Sequence, residues 1–254
     1  MTIDLWIGLL VLMVLFALEG LIPFYAPGPG RLAHAGRNLT LALASGVVGA
    51  LLAPLVVLAT EVARQQGWGL LHSIAWPGPA GLIVGVLLFD LWMYWWHRAN
   101  HEIRLLWRLH RVHHTDPHMD STTALRFHPG EILLSTLLNC LVILALGLGL
   151  EGLILYQSSM IAVILFHHSN LRLPARIDRL LRLVIVPPSM HRVHHSQIPT
   201  ETNSNYGTLL SLWDRLFGTF RLREDLAQIR FGIGRYGEPE WQRPRRLLML
   251  PFRE

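Results

Sequence analysis

Five apolar stretches separated by short polar segments dominate the chain, and they cover residues 5–22, 39–59, 80–96, 132–150 and 153–168. Each approaches the ~20 apolar residues with which an α-helix crosses a bilayer. The first stretch contains Glu19 and begins beside Asp4, where a signal peptide carries positive charge. We therefore predict a retained helix, with a cleaved signal peptide as the alternative. The last two stretches predict a hairpin that crosses twice, with a shallow re-entrant hairpin as the alternative.

This pattern predicts an all-α polytopic membrane protein with four to five transmembrane helices and a cytoplasmic helical cap. Orientation follows from the tendency of arginine to stay on the cytoplasmic side. With the N-terminus outside, the cytoplasmic segments hold 21 arginines and the external segments hold Arg64 alone. We expect the protein in the inner (plasma) membrane, with its C-terminus and its histidine-rich segments in the cytoplasm.

The composition supports lipid as part of the solvent. Only 15% of the 254 residues are charged, against about 25% in an ordinary soluble domain, and the mean hydropathy is +0.37. All 22 basic residues are arginine, but no basic helix or RNA-binding aromatic strand accompanies them, so nucleic acid is not a predicted partner. The single cysteine, Cys140, excludes a disulfide framework, a cysteine zinc site and a cysteine-ligated iron–sulfur cluster.

Histidine is concentrated in three short motifs. Residues 97–101 read HxxxH, and residues 110–114 and 191–195 both read HRVHH. Five histidines fall within residues 97–114, although the whole chain has only 14 in 254. On a helix, residues three and four apart share a face, so each motif directs two or three imidazoles to one point.

A neutral imidazole suits iron, zinc or copper, and eight such rings exceed the four ligands of one tetrahedral zinc. Two adjacent metal ions are the simplest arrangement that uses all eight rings. A solvated histidine face and a pH-sensing cluster are the alternatives. The motifs are not HExxH of a zinc protease, because Arg98, Arg111 and Arg192 follow the first histidine. The ExxH pattern of soluble di-iron bundles is also missing from them.

With its motifs in this order, the chain resembles the membrane-bound fatty acid hydroxylase/sterol desaturase superfamily, in particular its bacterial members. The resemblance spans about residues 82–222, and it rests on DxxxYxxHRxxH (90–101), HRxHH (110–114), RFHPxE (126–131), HSN (168–170), HRVHH (191–195), NYG (205–207) and SLWDRLFGTF (211–220). It implies a non-haem di-iron oxidoreductase that uses O2 to hydroxylate or desaturate a lipid. We accordingly divide the chain into N-terminal transmembrane helices (1–79), a catalytic domain (80–222) and a cytoplasmic tail (223–254).

The resemblance also implies which histidines bind the two irons. The expected ligands are His97, His101, His110, His113, His114, His168, His191, His194 and His195. His167 is expected beside the ligands rather than on a metal, and His128 is expected either to bind a metal or to support a ligand. His34, His72 and His118 are interpreted as ordinary surface residues.

Asp90 is the other informative residue, because a carboxylate within a membrane span is costly and usually functional. Asp90, Tyr94, His97 and His101 follow one stripe of one helix. We expect Asp90 to accept a hydrogen bond from a ligand imidazole, with Tyr94 in a similar supporting role. An ion pair between Asp90 and an arginine of another helix is the alternative.

Oxidation of a C–H bond by O2 consumes two electrons, and the sequence indicates no internal source for them. No nucleotide-binding GxGxxG follows a strand, and the residues after Phe220 are too few for a redox domain. We therefore expect a separate ferredoxin- or cytochrome-like donor with its reductase. Two alternatives from other classes remain: a membrane metal-binding or transport protein, and a di-zinc hydrolase that uses the same histidines.

Overall fold

The computed structural model describes residues 2–26, 28, 30–77 and 79–253. Its α-helices are α1 (Thr2–Leu21), α2 (Arg31–Gln66), α3 (Ala80–Glu102), α4 (Arg104–His114), α5 (Pro129–Leu146), α6 (Leu150–His168), α7 (Ala175–Leu181), α8 (Pro188–His194), α9 (Pro199–Thr202), α10 (Leu212–Leu216) and α11 (Pro244–Met249). Short 3-10 helices lie at Leu70–His72, Ser121–Leu125, Leu226–Gln228, Gly234–Gly237, Pro239–Gln242 and Leu250–Phe252. Extended pairing among the described residues is limited to two isolated bridges, Pro23 with Leu171 and Ile185 with Leu210.

The prediction of an all-α polytopic membrane protein is confirmed. Within the described residues, four helical segments are long and apolar enough to cross a membrane: Arg31–His72, Ala80–Glu102, Pro129–Leu146 and Leu150–His168. Helix α1 adds a shorter apolar segment, Trp6–Leu21. Large apolar side chains such as Leu10, Met13, Leu43 and Leu51 are exposed on α1 and α2, as expected of surfaces that face lipid. The side of the membrane on which each end lies stays a prediction.

Helix α2 is much longer than the apolar stretch that predicted it. Its 36 residues extend for about 54 Å, which exceeds the ~30 Å hydrocarbon core. The additional N-terminal turns are polar. His34 and Asn38 are buried there against the 116–126 segment, which is part of the cap, rather than exposed. Hydropathy underestimates the length of this helix, because contacts with distant polar residues, not lipid, stabilise its first turns.

The membrane helices pack in pairs. Helix α2 lies along α5, α1 lies along α6, and α3 contacts α4, α5 and α6. Phe89, Ile143 and Tyr156 form the buried centre between α3, α5 and α6. Helix α5 ends at Leu146, and the next residue, Gly147, has φ 73°. A Cβ at Gly147 would lie 2.5 Å from the carbonyl oxygen of Trp68. Glycine is therefore required for this tight turn.

A group of buried polar residues joins α2 to the cap, and we call it the polar layer: His34, Asn38, Asp116, Asp120 and Arg126. The Nε2 atom of His34 lies 2.7 Å from Asp116 Oδ1, and its Nδ1 atom lies 3.0 Å from Asp120 Oδ2. The interpretation of His34 as a surface residue was therefore wrong, because its partners lie more than 80 residues away in sequence. The other two histidines interpreted in that way, His72 and His118, are exposed.

Candidate metal centre

Four helices bring histidines to one end of the bundle. Helix α3 ends with His97 and His101, and an extended residue, Ile103 (φ −93°, ψ 113°), turns the chain into α4. The short amphipathic helix α4 carries the first HxxHH motif on its buried face, and α8 carries the second. Helix α6 delivers His167 and His168 from the membrane side.

The structure brings together all nine predicted ligands, which we call the cage, in two groups whose nitrogens lie within 4.8 Å of one another. The first group is His97, His101, His110, His114 and His194, and the second is His113, His168, His191 and His195. The groups adjoin, because His113 and His114 are neighbours on α4 and His194 and His195 are neighbours in the second motif. The rings of His114 and His195 stack across the boundary with centroids 4.4 Å apart.

The nitrogen positions in the second group fit a bound metal. Nε2 of His168 lies 3.0 Å from Nε2 of His113 and 2.9 Å from Nε2 of His191. In neutral His168 the proton is on Nδ1, which donates to the Ile164 carbonyl oxygen at 2.7 Å, so Nε2 presents only a lone pair. A metal bound at about 2.1 Å by two nitrogens at right angles holds them about 3.0 Å apart. The distances between these nitrogen atoms therefore match those of ligands that share one metal ion.

The same tautomer is set in other rings of the cage by acceptors outside it. Nδ1 of His97 donates to the Tyr206 carbonyl oxygen at 2.9 Å, and Nδ1 of His194 donates to the Ser204 carbonyl oxygen at 2.7 Å. Among the described residues, Nε2 of His194 is buried without a hydrogen-bond partner, and so are both nitrogens of His101. Buried polar atoms are rarely left unpaired, so these nitrogens are suited to bind an electrophile such as a metal ion.

Burial keeps these histidines neutral, which metal ligation requires. It is the main cause that lowers the pKa values of His113, His114, His191 and His195 well below 6.5, and neighbouring histidines lower them further. The pKa of His194 falls to about 3, because burial outweighs its hydrogen bond to Ser204. Near neutral pH these five histidines therefore present nitrogen lone pairs rather than imidazolium ions.

Glu131 is the supporting residue to which the sequence interpretation assigned no role. Its Oε1 atom lies 2.7 Å from Nδ1 of His110, while Oε2 is buried without a protein partner beside the cage. A carboxylate in this position fixes the ring and raises its basicity as a ligand. The sequence signal was available, because Glu131 ends the RFHPxE motif and lies one helical turn after His128.

His128 and His167 lie outside both groups, as far as the described residues show. Nδ1 of His128 accepts from the N–H of Gly130 at 3.0 Å, and Nε2 donates to the Leu248 carbonyl oxygen at 3.0 Å. His128 therefore caps α5 and holds the C-terminal segment. His167 stacks on His191 at a centroid distance of 3.8 Å, and both of its nitrogens are buried without partners.

Asp90 and Tyr94 stabilise a loop rather than touching an imidazole. Asp90 accepts from the indole of Trp213 at 2.7 Å, and also from the hydroxyl of Tyr156 and the N–H groups of Leu209 and Leu210. Neither the expected histidine nor the alternative arginine is among its partners in the described chain. The Tyr94 hydroxyl lies 2.9 Å from Oγ1 of Thr219. Asp90 and Tyr94 therefore fix the position of the 206–219 segment. In that segment, the carbonyl oxygen of Tyr206 accepts the hydrogen bond from His97.

A cavity of about 250 Å³ connects the cage with the membrane part between α3, α5 and α6. Apolar atoms form most of its wall, although Asn100, Ser135, Thr136 and Asn139 also line it; the apolar side chains are Met93, Trp96, Phe127, Ile132, Met160 and Ile164. Met160 lies eight residues before His168, so the cavity follows α6 for about 12 Å from the cage. The cage therefore opens towards apolar surroundings, where a hydrocarbon chain fits better than a polar solute.

Comparison with known proteins agrees with this geometry. The fatty acid hydroxylase family model matches residues 82–219. Ornithine lipid hydroxylase OlsE of Rhizobium tropici is 33% identical over 145 residues, which cover 57% of this chain and 43% of that protein. Alkylglycerol monooxygenase of Danio rerio is 33% identical over 141 residues (54% of this chain and 29% of that protein), and lathosterol oxidase of Homo sapiens is 28% identical over 175 residues (66% and 56%).

The chain thus spans less than half of the length of the first two of these relatives. No solved structure matches it significantly.

Proposed function

The chain belongs to the fatty acid hydroxylase family, and from this premise we propose that it is a membrane-bound oxidoreductase that uses O2 and two iron ions to hydroxylate or desaturate a lipid. One observation carries the proposal: nine histidines, all buried except the half-buried His97, converge in two adjoining groups at the end of a largely apolar cavity. Its relatives are named for an ornithine lipid, an alkylglycerol and a sterol, so a lipid is the proposed substrate class.

The two groups define how the irons would be held. His97, His101, His110, His114 and His194 would bind one, and His113, His168, His191 and His195 would bind the other. When bound, the iron pair supplies the oxidising power for O2-dependent cleavage of a C–H bond. A histidine-only cage of this kind differs from the carboxylate-bridged site of soluble di-iron bundles.

The protein's own residues would orient the ligands and the substrate. Glu131 fixes the ring of His110, and the 206–219 segment fixes His97 through Tyr206. The indole N–H of Trp96 donates to Ser135 Oγ at 2.8 Å, which fixes the ring that lines the cavity. Apolar walls exclude water and place a methylene group near the cage.

Electrons would come from a separate ferredoxin- or cytochrome-like donor and its reductase. Exposed arginines lie on the cap at Arg172, Arg176, Arg179 and Arg221. An acidic donor docked on such a surface would bind transiently, and its binding would weaken with salt. We place this surface and the cage on the cytoplasmic side of the inner membrane, on the basis of the arginine distribution.

Anaerobic purification followed by metal analysis tests the proposal first. We expect two iron ions per chain, and oxidation of a supplied lipid by O2 only when NAD(P)H, a reductase and a donor protein are all added. Two zinc ions with O2-independent ester hydrolysis would instead favour the hydrolase, and metal transport into vesicles would favour the transporter. Sustained oxidation from NAD(P)H alone, without bound flavin or haem, would contradict the separate donor.

A further inference from the structure

A second and larger cavity, of about 730 Å³, lies near the same end of the helices and is not lined by any predicted metal ligand among its described residues. Its wall is formed by the α1–α2 connection at Tyr25 and Ala26, by the first turns of α2, and by the 229–242 segment. We call it the arginine pocket, because Arg31, Arg37 and Arg230 all line it.

The positive charges in this pocket are not balanced. Arg31 pairs with Glu19 at 3.0 Å, and the acids of the polar layer are engaged by His34 and its neighbours. Arg37 and Arg230 have no carboxylate within ion-pair distance in the described part of the chain, and Nε of Arg37 is buried without a partner. Arg37 and the exposed Arg230 therefore line the cavity without an ion pair in the described chain, and the one carboxylate in its wall, Asp120, is engaged by His34.

A second cation lies near Arg37. Arg126 is fully buried; burial lowers its pKa, Asp116 raises it, and the positive charge of Arg37 lowers it to a smaller extent. Asp116 therefore offsets part of the repulsion between the two arginines, and it is shared with His34. An anion bound beside Arg37 would reduce the repulsion that remains.

We propose that the arginine pocket binds the phosphate group of an anionic phospholipid. Guanidinium groups bind phosphate with paired hydrogen bonds, and basic pockets between membrane helices are suited to lipid headgroups. The pocket lies where α1 ends and α2 begins, next to the apolar segments of both helices. Tyr25 and Phe231 form an aromatic wall with centroids 5.3 Å apart, a type of surface that favours the interfacial zone.

This site is separate from the cage, and it does not depend on the proposed oxidation. A lipid phosphate here would join the α1–α2 connection to the 229–242 segment and stabilise both. Loss of the lipid should therefore change the stability of the folded chain without changing its metal content.

The test uses the full chain in detergent after removal of bound lipid. Short-chain phosphatidylglycerol, phosphatidylcholine of the same chain length and inorganic phosphate are titrated separately, and binding is read from native mass spectra and melting temperatures. We expect phosphatidylglycerol to bind at least about tenfold more tightly than phosphatidylcholine. The Arg37→Gln and Arg230→Gln variants should each lose about tenfold in this affinity.

Arg176→Gln is the matched control, because Arg176 is an exposed arginine of α7 that does not line the pocket. It should keep wild-type binding. Arg37→Gln should fold normally, since it removes a charge that repels Arg126. If Arg37→Gln does not fold, the Arg230→Gln variant alone tests the proposal. Arginine-dependent binding of inorganic phosphate would support the phosphate site and identify a soluble source; lipid-only binding would identify the headgroup. Equal affinity for both lipids, or no loss in the pocket variants relative to Arg176→Gln, would overturn the proposal.

Discussion

Histidine is buried in two parts of this molecule, the polar layer around His34 and the cage around His101, and the two parts differ in what surrounds the ring. In the polar layer, Nδ1 and Nε2 of His34 each face a carboxylate, at 3.0 and 2.7 Å. In the cage, both nitrogens of His101 are buried without a hydrogen-bond partner among the described residues, and the ring centroids of His194 and His114 lie 4.7 and 4.8 Å away.

The difference separates a structural role from a binding role. A buried ring whose hydrogen bonds are complete stabilises the fold without any guest, and the acids of the polar layer supply that completion. Imidazoles that face mainly one another, as in the cage apart from Glu131 on His110, leave lone pairs that only a cation or protons can satisfy. Burial alone, which both regions share, does not distinguish them.

The largest expected effect is loss of a ligand from the cage. In His113→Ala and in His194→Ala, we expect the bound metal to fall below two ions per chain and lipid oxidation to fall more than about 1000-fold. Changes outside the ligands typically cause 10–100-fold losses, so a ligand should exceed them. Metal analysis and turnover with the reconstituted donor measure the two effects. His72→Ala, at an exposed position, should keep both, and full metal content in both cage variants would show that the cage is wrongly assigned.

The next effect concerns the polar layer. In Asp116→Asn we expect the free energy of unfolding to fall by about 3–5 kcal/mol, because the buried charges of His34 and Arg126 lose their counterion. The metal content of the folded chain should stay at the wild-type value. Denaturant titration measures the stability, and Glu61→Gln, which breaks an exposed pair with Arg64, should cause no measurable loss. A loss of metal without a loss of stability would reverse the roles of the two regions.

Acidification should affect the two regions in different pH ranges. Burial holds the pKa values of five cage histidines below 6.5, so the unfolded chain takes up protons that the folded chain does not; they are His113, His114, His191, His194 and His195. The metal-free protein should lose about 0.7 kcal/mol per such histidine between pH 7 and pH 6. Burial raises the pKa of Asp116, but His34 and Arg126 outweigh it and hold the value well below 3.8. The contribution of Asp116 should therefore persist until the pH falls below about 4.

Unfolding of metal-free wild type and Asp116→Asn at pH 7, 6 and 5 measures this difference. Both proteins should lose stability over that range, because both carry the same cage histidines. Constant stability from pH 7 to pH 5 would show that the cage histidines are not held neutral, and a loss confined to wild type would assign the effect to the polar layer instead.

The contrast also explains how much could be predicted from the sequence. The helices and the histidine groups follow from local periodicity, and all nine rings predicted as ligands lie together. His34 and Asp90 were misinterpreted because their partners come from segments about 80 and 120 residues away, which no local pattern reveals. The acceptors of His97 and His194 are backbone carbonyl oxygens, which carry no sequence signal at all.

Glu131 lies between the two types of environment, since it is an acid attached to the cage, and its replacement is expected to have the smallest effect. Glu131→Gln keeps the size of the side chain but removes the negative charge that makes His110 a stronger ligand. We expect a 10–100-fold loss of metal affinity, measured by competition with a chelator, and turnover should decrease when iron is limiting. Asp90→Asn is the matched comparison, because Asp90 is also buried but holds only the loop of Trp213. It should lower the melting temperature with less effect on metal affinity. If Glu131→Gln changes only the melting temperature, Glu131 is a structural residue like Asp116, and the cage is completed by imidazoles alone.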